Sequence, residues 1–362
     1  MTTLFSPFTL KSLNMPNRVV MAPMTRVFSP DGIPGANVAD YYARRAENGV
    51  GLILTEGTVI ERPASKNERN IPNIYGAAID GWAKVVEAVH AKGGRIAPQI
   101  WHTGGAFGND ESWRPQPMDT PSGLGLDGTK IGEPMSDADI ADTIAAFAHS
   151  AREAKRIGFD ALELHGAHGY LIDEFFFDGT NKRSDPWGGA TIGERTRFAV
   201  EVIKAARAAV GQDFPMIIRL SQWKPGHFGH KLAETPAEME AWLKPMMDAG
   251  VDMFHCSQRR FWEPEFDGSD LNFAGWAKKL TGLPAITVGS VGLSGEFIAA
   301  FGGEASQPAS IDNLLERLTE GEFDLVAVGR ALLNDPQWLT KIRDGRHDEL
   351  KPFDRSALGV LH

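Results

Sequence analysis

The chain has 362 residues, of which 42% are hydrophobic and 23% charged, so it can bury a large core and does not have the composition of a disordered protein. Its formal net charge of −10 argues against binding to the phosphate backbone of nucleic acids or to an anionic membrane surface. The single cysteine, Cys256, excludes an intramolecular disulfide, a four-cysteine zinc site and an iron–sulfur cluster held within the chain.

The predicted elements begin with a hairpin over Phe5–Pro16 and continue as short apolar runs that alternate with amphipathic segments. Each run is nearly continuous in hydrophobicity, as expected of a strand that is covered on both faces. The runs are Val19–Met24, Val50–Thr55, Ile96–Trp101, Ala161–Leu164, Met216–Leu220, Met253–Cys256, Ala285–Val288 and Leu325–Val328. The segments of helical period between them include Trp82–Ala91, Asp139–Arg156, Arg195–Val210 and Pro236–Asp248.

Repeated strand–helix units predict a parallel sheet with right-handed crossovers, and eight of them favour a closed (β/α)8 barrel of the TIM type. No interdomain linker interrupts the pattern, so we expect a single domain over residues 1–362 with the hairpin at the bottom of the barrel. Long irregular stretches, among them Thr103–Met135 and Gly169–Glu194, follow strands and would be βα loops on the catalytic face.

Two features bear on cellular location. The N-terminal segment Met1–Lys11 lacks a basic region followed by an apolar stretch, so it does not have the pattern of a secretory signal. No apolar run approaches the roughly 18 residues that a membrane span requires. The expectation is a soluble, cytoplasmic protein that binds neither nucleic acid nor membrane.

Two motifs are misleading. Gly123–Gly128 formally matches the dinucleotide-binding fingerprint, but no strand precedes it and no helix follows it, so we do not expect a nucleotide site there. His227 and His230 lie in a loop rich in glycine and proline, where we expect solvated or lid-forming side chains and not a metal site.

Polar residues and glycines at or just past the ends of the apolar runs are those that a barrel directs toward one pocket. They are Thr25, Gly57, Gln99, His165, His168, Tyr170, Arg219, Ser290 and Arg330. The set contains no carboxylate, which argues against a metal-dependent barrel and against a glycosidase. It is suited to hold a planar polar ring and a phosphate.

The segment Glu163–Tyr170, E-L-H-G-A-H-G-Y, places two imidazoles three residues apart at a strand end. Both could donate hydrogen bonds to one carbonyl oxygen, and Tyr170 could act as a general acid. Alternatively, His165 and His168 could be a zinc pair, which would need a third ligand. The residues by themselves leave both interpretations open.

Five segments together resemble the successive signatures of the Old Yellow Enzyme family, which includes the N-ethylmaleimide reductase-like NADH:flavin oxidoreductases. They occur in the family's order over nearly the whole chain, and Gly289-Ser290 and Gly329-Arg330 fit the family's phosphate-binding loops. The segments are Ala22–Arg26 (A-P-M-T-R), Glu56–Thr58 (E-G-T), Gln99–His102 (Q-I-W-H), His165–Tyr170 (H-G-A-H-G-Y) and Asn181–Gly189 (N-K-R-S-D-P-W-G-G).

The resemblance implies a TIM barrel with tightly but non-covalently bound FMN. Thr25 would bind the flavin C4 carbonyl, Gln99 the pyrimidine edge, and Arg219 the N1 and C2 carbonyl region. The remaining residues implied to bind FMN are Pro23, Met24, Gly57, and for the phosphate Gly289, Ser290, Gly329 and Arg330.

For the substrate, the resemblance implies that His165 and His168 bind an electron-withdrawing oxygen, that Tyr170 protonates the α-carbon, and that Trp101 lines the pocket. Departures from the family pattern are Gly105, Trp187, the stretch Gly193-Glu194-Arg195 and the long loop Gly295–Ser310. They affect loops and leave the implied flavin and proton-donor residues in place.

The hypothesis is therefore an FMN-dependent ene-reductase, a monomer or homodimer, in which NADPH or NADH reduces FMN and an activated alkene then reoxidises it. Activated alkenes here are α,β-unsaturated carbonyl compounds and nitroalkenes. The alternatives are a zinc-dependent lyase or aldolase barrel that uses His165 and His168, and a non-catalytic flavin-binding protein.

Overall fold

The computed structural model describes residues 3–108, 113, 115–295 and 305–362. Eight parallel strands in this part of the chain close into a barrel in which each strand lies beside the next one along the chain and the last pairs with the first. Helices lie between the strands along the chain, as expected for right-handed βαβ units. The prediction of a (β/α)8 barrel is confirmed.

The strands are short, and those of the barrel are buried almost without exception. Two strands form the N-terminal hairpin, β1 (Phe8–Leu10) and β2 (Leu13–Met15). The barrel strands are β3 (Val19–Met21), β4 (Leu52–Val59), β5 (Ile96–Trp101), β6 (Leu162–Gly166), β7 (Met216–Ser221), β8 (Met253–Ser257), β9 (Ala285–Val288) and β10 (Leu325–Val328).

The helices cover the outside of the barrel or lie in the loops that follow its strands. In chain order the α-helices of the described residues are α1 (Ala36–Glu47), α2 (Ala78–Ala91), α3 (Asp137–Arg156), α4 (Leu171–Phe176), α5 (Ile192–Arg195), α6 (Arg197–Val210), α7 (Pro236–Ala249), α8 (Phe273–Thr281), α9 (Asp312–Glu320), α10 (Arg330–Asn334) and α11 (Trp338–Arg343). Short 3-10 turns occupy Pro30–Gly32, His347–Glu349 and Arg355–Gly359. Helix α7 shows the expected ends, since Thr235 and Glu238 form a capping box and Gly250 ends the helix with a φ of 119°.

Among the predicted boundaries that were wrong, three have identifiable reasons. Strand β3 ends at Met21, not Met24, because Pro23 has no N–H for the ladder; the N–H of Ala22 still reaches the Val328 carbonyl oxygen. Strand β4 runs on to Val59, because its residues beyond a register shift at Leu54 pair again with β5. The predicted helix Arg195–Val210 is two helices, α5 and α6, separated at Thr196.

The predicted N-terminal hairpin is confirmed, and its position explains its apolar residues. Leu13 and Met15 of β2 belong to a buried cluster with Leu52, Ile217 and other side chains that fill the barrel interior. The hairpin therefore covers the amino end of the barrel, as expected from the sequence.

Among the described residues, no helix is both long enough and apolar enough to cross a membrane. Parts of two loops singled out in the sequence, Thr103–Met135 and Gly295–Ser310, fall on residues 109–112, 114 and 296–304, which lie outside the described residues.

Candidate functional site

The predicted site residues of the central strands meet at the carboxyl end of the barrel. Strand register sets them side by side: Gly57 is opposite Gln99, and His165 is opposite Arg219. Gly57 has no room for a side chain, since a Cβ atom there would lie 2.1 Å from Cε3 of Trp101. Glycine at this position lets the Trp101 ring pack directly against the strand that precedes it.

The segment Pro23–Thr25 leaves β3 at the same end of the barrel. Thr25 is exposed, and the chain beyond it is held by a buried carboxylate, because Glu56 Oε2 accepts hydrogen bonds from the backbone N–H groups of Arg26 (2.8 Å) and Val27 (3.2 Å). Burial raises the pKa of Glu56 to about 7. Met24 lies close to Gly329, so this segment borders the start of the loop after β10.

Gln99 lies at the centre of a buried polar group. Its Nε2 donates to Glu163 Oε1 at 2.8 Å, and the other oxygen of Glu163 lies 2.6 Å from His255 Nδ1. All three side chains are at most 3% exposed. Because Glu163 accepts a hydrogen bond from the amide nitrogen of Gln99, it fixes the orientation of that amide. The Gln99 oxygen can therefore accept a hydrogen bond from a ligand.

Arg219 is a buried cation beside this group. It is 8% exposed, and its Nε has no hydrogen-bond partner among the described residues. Burial lowers its pKa, and the negative charge of Glu163 opposes that effect. A buried guanidinium with an unused donor is expected where a ligand supplies an acceptor.

His165, His168 and Tyr170 form one aromatic cluster with Trp101. The His165 ring centroid lies 5.2 Å from that of His168, 5.0 Å from that of Tyr170 and 5.8 Å from that of Trp101. Tyr170 meets Trp101 edge to face at 4.6 Å. Nδ1 of His165 and Nε1 of Trp101 are buried without a hydrogen-bond partner in the described part of the chain.

The turn that carries His168 is strained and is held from two sides. His168 has a φ of 63°, in the left-handed region that non-glycine residues rarely adopt. Its backbone N–H donates to Ser221 Oγ at 2.9 Å, and the next N–H, of Gly169, donates to Asp173 at 2.6 Å. Asp173 pairs in turn with the fully buried Lys224 at 3.0 Å. The loops after β6 and β7 are therefore joined, which fixes the position of His168.

Burial determines the protonation states in this cluster. The pKa of His165 and that of His168 lie well below 6.5, first because of desolvation and then because of the positive charge of Arg219. The pKa of Tyr170 is raised to about 12, again by desolvation. At neutral pH the imidazoles are therefore uncharged and the phenol keeps its proton.

The residues predicted to bind a phosphate also lie together. Arg330 Nη2 is 3.4 Å from Ser290 Oγ and donates to the Gly295 carbonyl oxygen at 2.7 Å. Ser290 has a φ of 51°, and a Cβ atom on Gly289 would lie within 3.0 Å of backbone atoms of the β8 loop. The loop after β8 thus approaches Gly289 so closely that only glycine fits there, and Arg330, which follows β10, contacts the loop after β9.

Several site residues were missed in the sequence. Glu163, His255 and Ser257 lie inside the barrel mouth, and Trp223 packs on His168 with ring centroids 4.8 Å apart. A period of two places Glu163 on the same face as His165, and Ser257 on the same face as His255. That signal could have found these three, whereas nothing in the sequence indicated Trp223 or Lys224.

The structure also places the features that were set aside in the sequence. Gly123–Gly128 forms an irregular turn with no helix after it, and Cys256 is buried. His227 is exposed, and His230 packs on Phe177 with ring centroids 4.7 Å apart. Among the departures from the family pattern, Gly105 donates its N–H to Glu174 at 2.7 Å, and a Cβ atom there would lie 2.6 Å from Ile131. A larger residue would not fit at this position without movement.

Comparison with known proteins gives consistent matches along the chain. A family model described as NADH:flavin oxidoreductase / NADH oxidase matches residues 3–349. A 12-oxophytodienoate reductase 7 from Oryza sativa subsp. japonica is 32% identical over 364 residues, which cover 94% of this chain and 87% of that protein. An NADH oxidase from Thermoanaerobacter brockii is 34% identical over 99% of this chain. That protein is longer, and the match covers only 53% of its length.

Among solved structures, morphinone reductase in complex with tetrahydroNAD superposes with a TM-score of 0.82 at 30% identity, covering 99% of this chain and 94% of that one. The barrel, the ordered motifs and the family match agree over almost the whole chain. This chain therefore belongs to the NADH:flavin oxidoreductase / NADH oxidase family, the FMN-dependent oxidoreductases of the Old Yellow Enzyme type.

Proposed function

We propose that this protein is an ene-reductase that uses NADPH or NADH and bound FMN to reduce the C=C bond of an activated alkene. The observation that carries the proposal is the cluster formed by the buried His165 and the half-buried His168 and Tyr170 beside Arg219 at the barrel mouth. The reaction requires protein groups that donate hydrogen bonds to the substrate oxygen and a proton to a substrate carbon. Two neutral imidazoles and a protonated phenol can do this.

The residues fit FMN by the chemistry of their free atoms. Gln99 has a carbonyl oxygen fixed by Glu163, and Arg219 has a buried donor without a partner in the described structure. These groups would hold the pyrimidine end of a flavin, with the positive charge where electron density accumulates on reduction. Thr25 and Gly57 would border the ring, and Gly289, Ser290, Gly329 and Arg330 would hold the phosphate in the position common to many TIM barrels.

When bound, FMN would supply the redox chemistry, which is hydride transfer from a nicotinamide to the β-carbon of the alkene. His165 and His168 bind the carbonyl or nitro oxygen of the substrate, so that their N–H groups stabilise the negative charge that develops there. Donors placed at such an oxygen each contribute about 10²–10³ in rate. Since both rings are neutral, each acts as a hydrogen-bond donor and is a much weaker acid than an imidazolium ion.

Tyr170 supplies the proton that the α-carbon takes up. Its raised pKa, about 12, keeps it protonated at neutral pH, and the nearby positive charge of Arg219 offsets part of the cost of forming its anion. Its ring is held edge to face against Trp101 and His165, so the hydroxyl group has a defined position beside the substrate oxygen site.

The alternative of a zinc site is less well supported by the donor set. Within the described residues no group of three histidine, cysteine, aspartate or glutamate side chains is placed to hold a metal. Among the charged groups, Arg219 has the largest effect on the pKa values of His165 and His168, and its positive charge would repel a zinc ion bound there. In the part of the chain that the structure describes, the pair thus has no third ligand of the kind that a zinc lyase requires.

An absorbance experiment tests the proposal and its rivals together. The purified protein is expected to show a flavin band that bleaches with anaerobic NADPH and returns when 2-cyclohexenone is added. Bleaching without recovery in the presence of enones and nitroalkenes would identify a flavoprotein without ene-reductase activity. A colourless protein that does not take up FMN would overturn the cofactor assignment.

A further inference from the structure

His168 has only one ring nitrogen left for a substrate. Its Nε2 lies 2.8 Å from the hydroxyl oxygen of Ser257, the last residue of β8. Ser257 is 4% exposed, so this contact is shielded from water. Any hydrogen bond from the His168 ring to a substrate oxygen must therefore come from Nδ1.

The tautomer of His168 decides whether that bond can form. Because the ring is neutral, it carries one N–H. If the proton were on Nε2, the ring would donate to Ser257 and Nδ1 would present a lone pair, which repels a carbonyl oxygen. If Nε2 accepts the proton of the Ser257 hydroxyl, Nδ1 carries the hydrogen and can donate it.

Arg219 favours the second arrangement. Its Nη2 lies 3.5 Å from Ser257 Oγ, and a guanidinium can only donate. The hydroxyl oxygen therefore directs a lone pair toward Arg219 and its hydrogen away from that positive charge. His168 Nε2 is the acceptor that lies within 2.8 Å to receive this hydrogen.

We propose that Ser257 is a positioning residue that fixes His168 as its Nδ1–H tautomer, through the sequence of hydrogen bonds Arg219 to Ser257 to His168. His168 thereby presents a donor to the substrate oxygen, next to the donor of His165. The inference rests on the proposed function, because the tautomer matters to catalysis only if His168 binds that oxygen.

Ser221 offers a matched control. It is the last residue of β7 and lies opposite Ser257 in the strand register. Its hydroxyl also contacts His168, but through the backbone N–H and not through the ring. Ser221→Ala removes a hydroxyl of the same kind at the same level of the barrel and is expected to leave the ring tautomer unchanged.

The test is nitrogen-15 NMR of the FMN-loaded enzyme with labelled histidine at pH 7.5, with the His168 signals assigned from a His168→Asn variant. We expect an Nδ1–H pattern in the wild-type protein and in Ser221→Ala. In Ser257→Ala the Nε2–H form should become substantially populated, and Ser257→Thr, which keeps the hydroxyl, should restore the wild-type pattern. A wild-type ring protonated on Nε2, or a Ser257→Ala ring that stays fully Nδ1–H, would overturn the proposal.

Ligand binding gives a second readout. Loss of one hydrogen bond corresponds to roughly tenfold in affinity, so Ser257→Ala should bind 4-hydroxybenzaldehyde about tenfold more weakly in a titration that monitors flavin absorbance. Unchanged affinity in Ser257→Ala would count against the proposal. Failure of the ene-reductase proposal would show differently, as a flavin that enones do not reoxidise while the His168 tautomer remains as described.

Discussion

The two ends of the barrel are built from the same strands but have opposite chemistry. Along four neighbouring strands the inward side chain changes from apolar to polar within two residues: Ala97 to Gln99, Ala161 (just before β6) to Glu163, Ile217 to Arg219, and Met253 to His255. A step of two residues keeps a side chain on the same face of a strand. The barrel therefore changes from a core to a binding site along its axis without any change in backbone geometry.

This difference separates stability from function. The amino end is closed by the hairpin and filled by aliphatic side chains that contribute through burial. The carboxyl end holds buried polar atoms without partners in the described structure, such as Nδ1 of His165 and Nε of Arg219. Each such atom costs roughly 1–3 kcal/mol when nothing pairs with it, so the site is stabilised when a ligand binds.

The largest effect is expected from a change at the polar end that removes one atom. Tyr170→Phe deletes the proton donor and keeps the ring that packs on Trp101. Alkene reduction should slow by about 10²–10⁴-fold, the usual contribution of general acid catalysis, with unchanged folding stability. Stopped-flow absorbance resolves the two half-reactions, and the reduction by NADPH serves as the internal control. Equal loss in both half-reactions would refute the role of Tyr170.

A change at the apolar end should lower folding stability and leave ligand binding unchanged. Ile217→Ala opens a cavity in the fully buried interior, two residues before Arg219. The free energy of unfolding should fall by about 2–5 kcal/mol, measured as a shift of the urea unfolding midpoint. The flavin spectrum and the affinity for 4-hydroxybenzaldehyde should stay the same. A large change in that affinity would show that the two ends are not independent.

Replacement of both histidines sharpens the contrast within the polar end. The double variant His165→Ala/His168→Ala loses two hydrogen-bond donors to the substrate oxygen, so phenol affinity should fall by about 10–100-fold. Titration of 4-hydroxybenzaldehyde against flavin absorbance measures this. His90→Ala, a change on the outer helix α2 where the ring bonds to Asp160, is the matched control and should bind normally. Unchanged affinity in the double variant would remove the basis for the two-histidine oxygen site.

The smallest expected effect is that of pH. A general acid must be protonated, so alkene reduction is lost as pH rises through the pKa of Tyr170, about 12. At pH 10 only about 1% of such a phenol is ionised, so the rate of flavin reoxidation by enone should be flat from pH 7 to 10. The lowered pKa values of His165 and His168 extend this flat region to below pH 6.5. A decline centred between pH 7 and 9 would point to a different proton donor.

Much of this molecule could be predicted from the sequence because the relevant patterns are local. Buried strands read as apolar runs, and parallel connections place the carboxyl ends of all eight strands on one side. For that reason Gln99, His165 and Arg219 could be assigned to a shared site before the structure was known. The strand ends were less predictable, since they depend on pairing between strands: β4 extends to Val59 only because β5 continues beside it.

Only the tertiary structure decided which polar groups pair with one another. The contacts of Glu163 with Gln99 and His255, and of Ser257 with His168, join residues that are 64 to 92 positions apart. A period of two gives the face on which each side chain lies, but not its height relative to the next strand. That height follows from the register and shear of the closed barrel, and the packing of Trp223 on His168 follows from the path of the loop after β7. The sequence thus determined the barrel and the composition of its mouth, while closure of the barrel determined the orientation of Gln99 and the hydrogen bonding of His168.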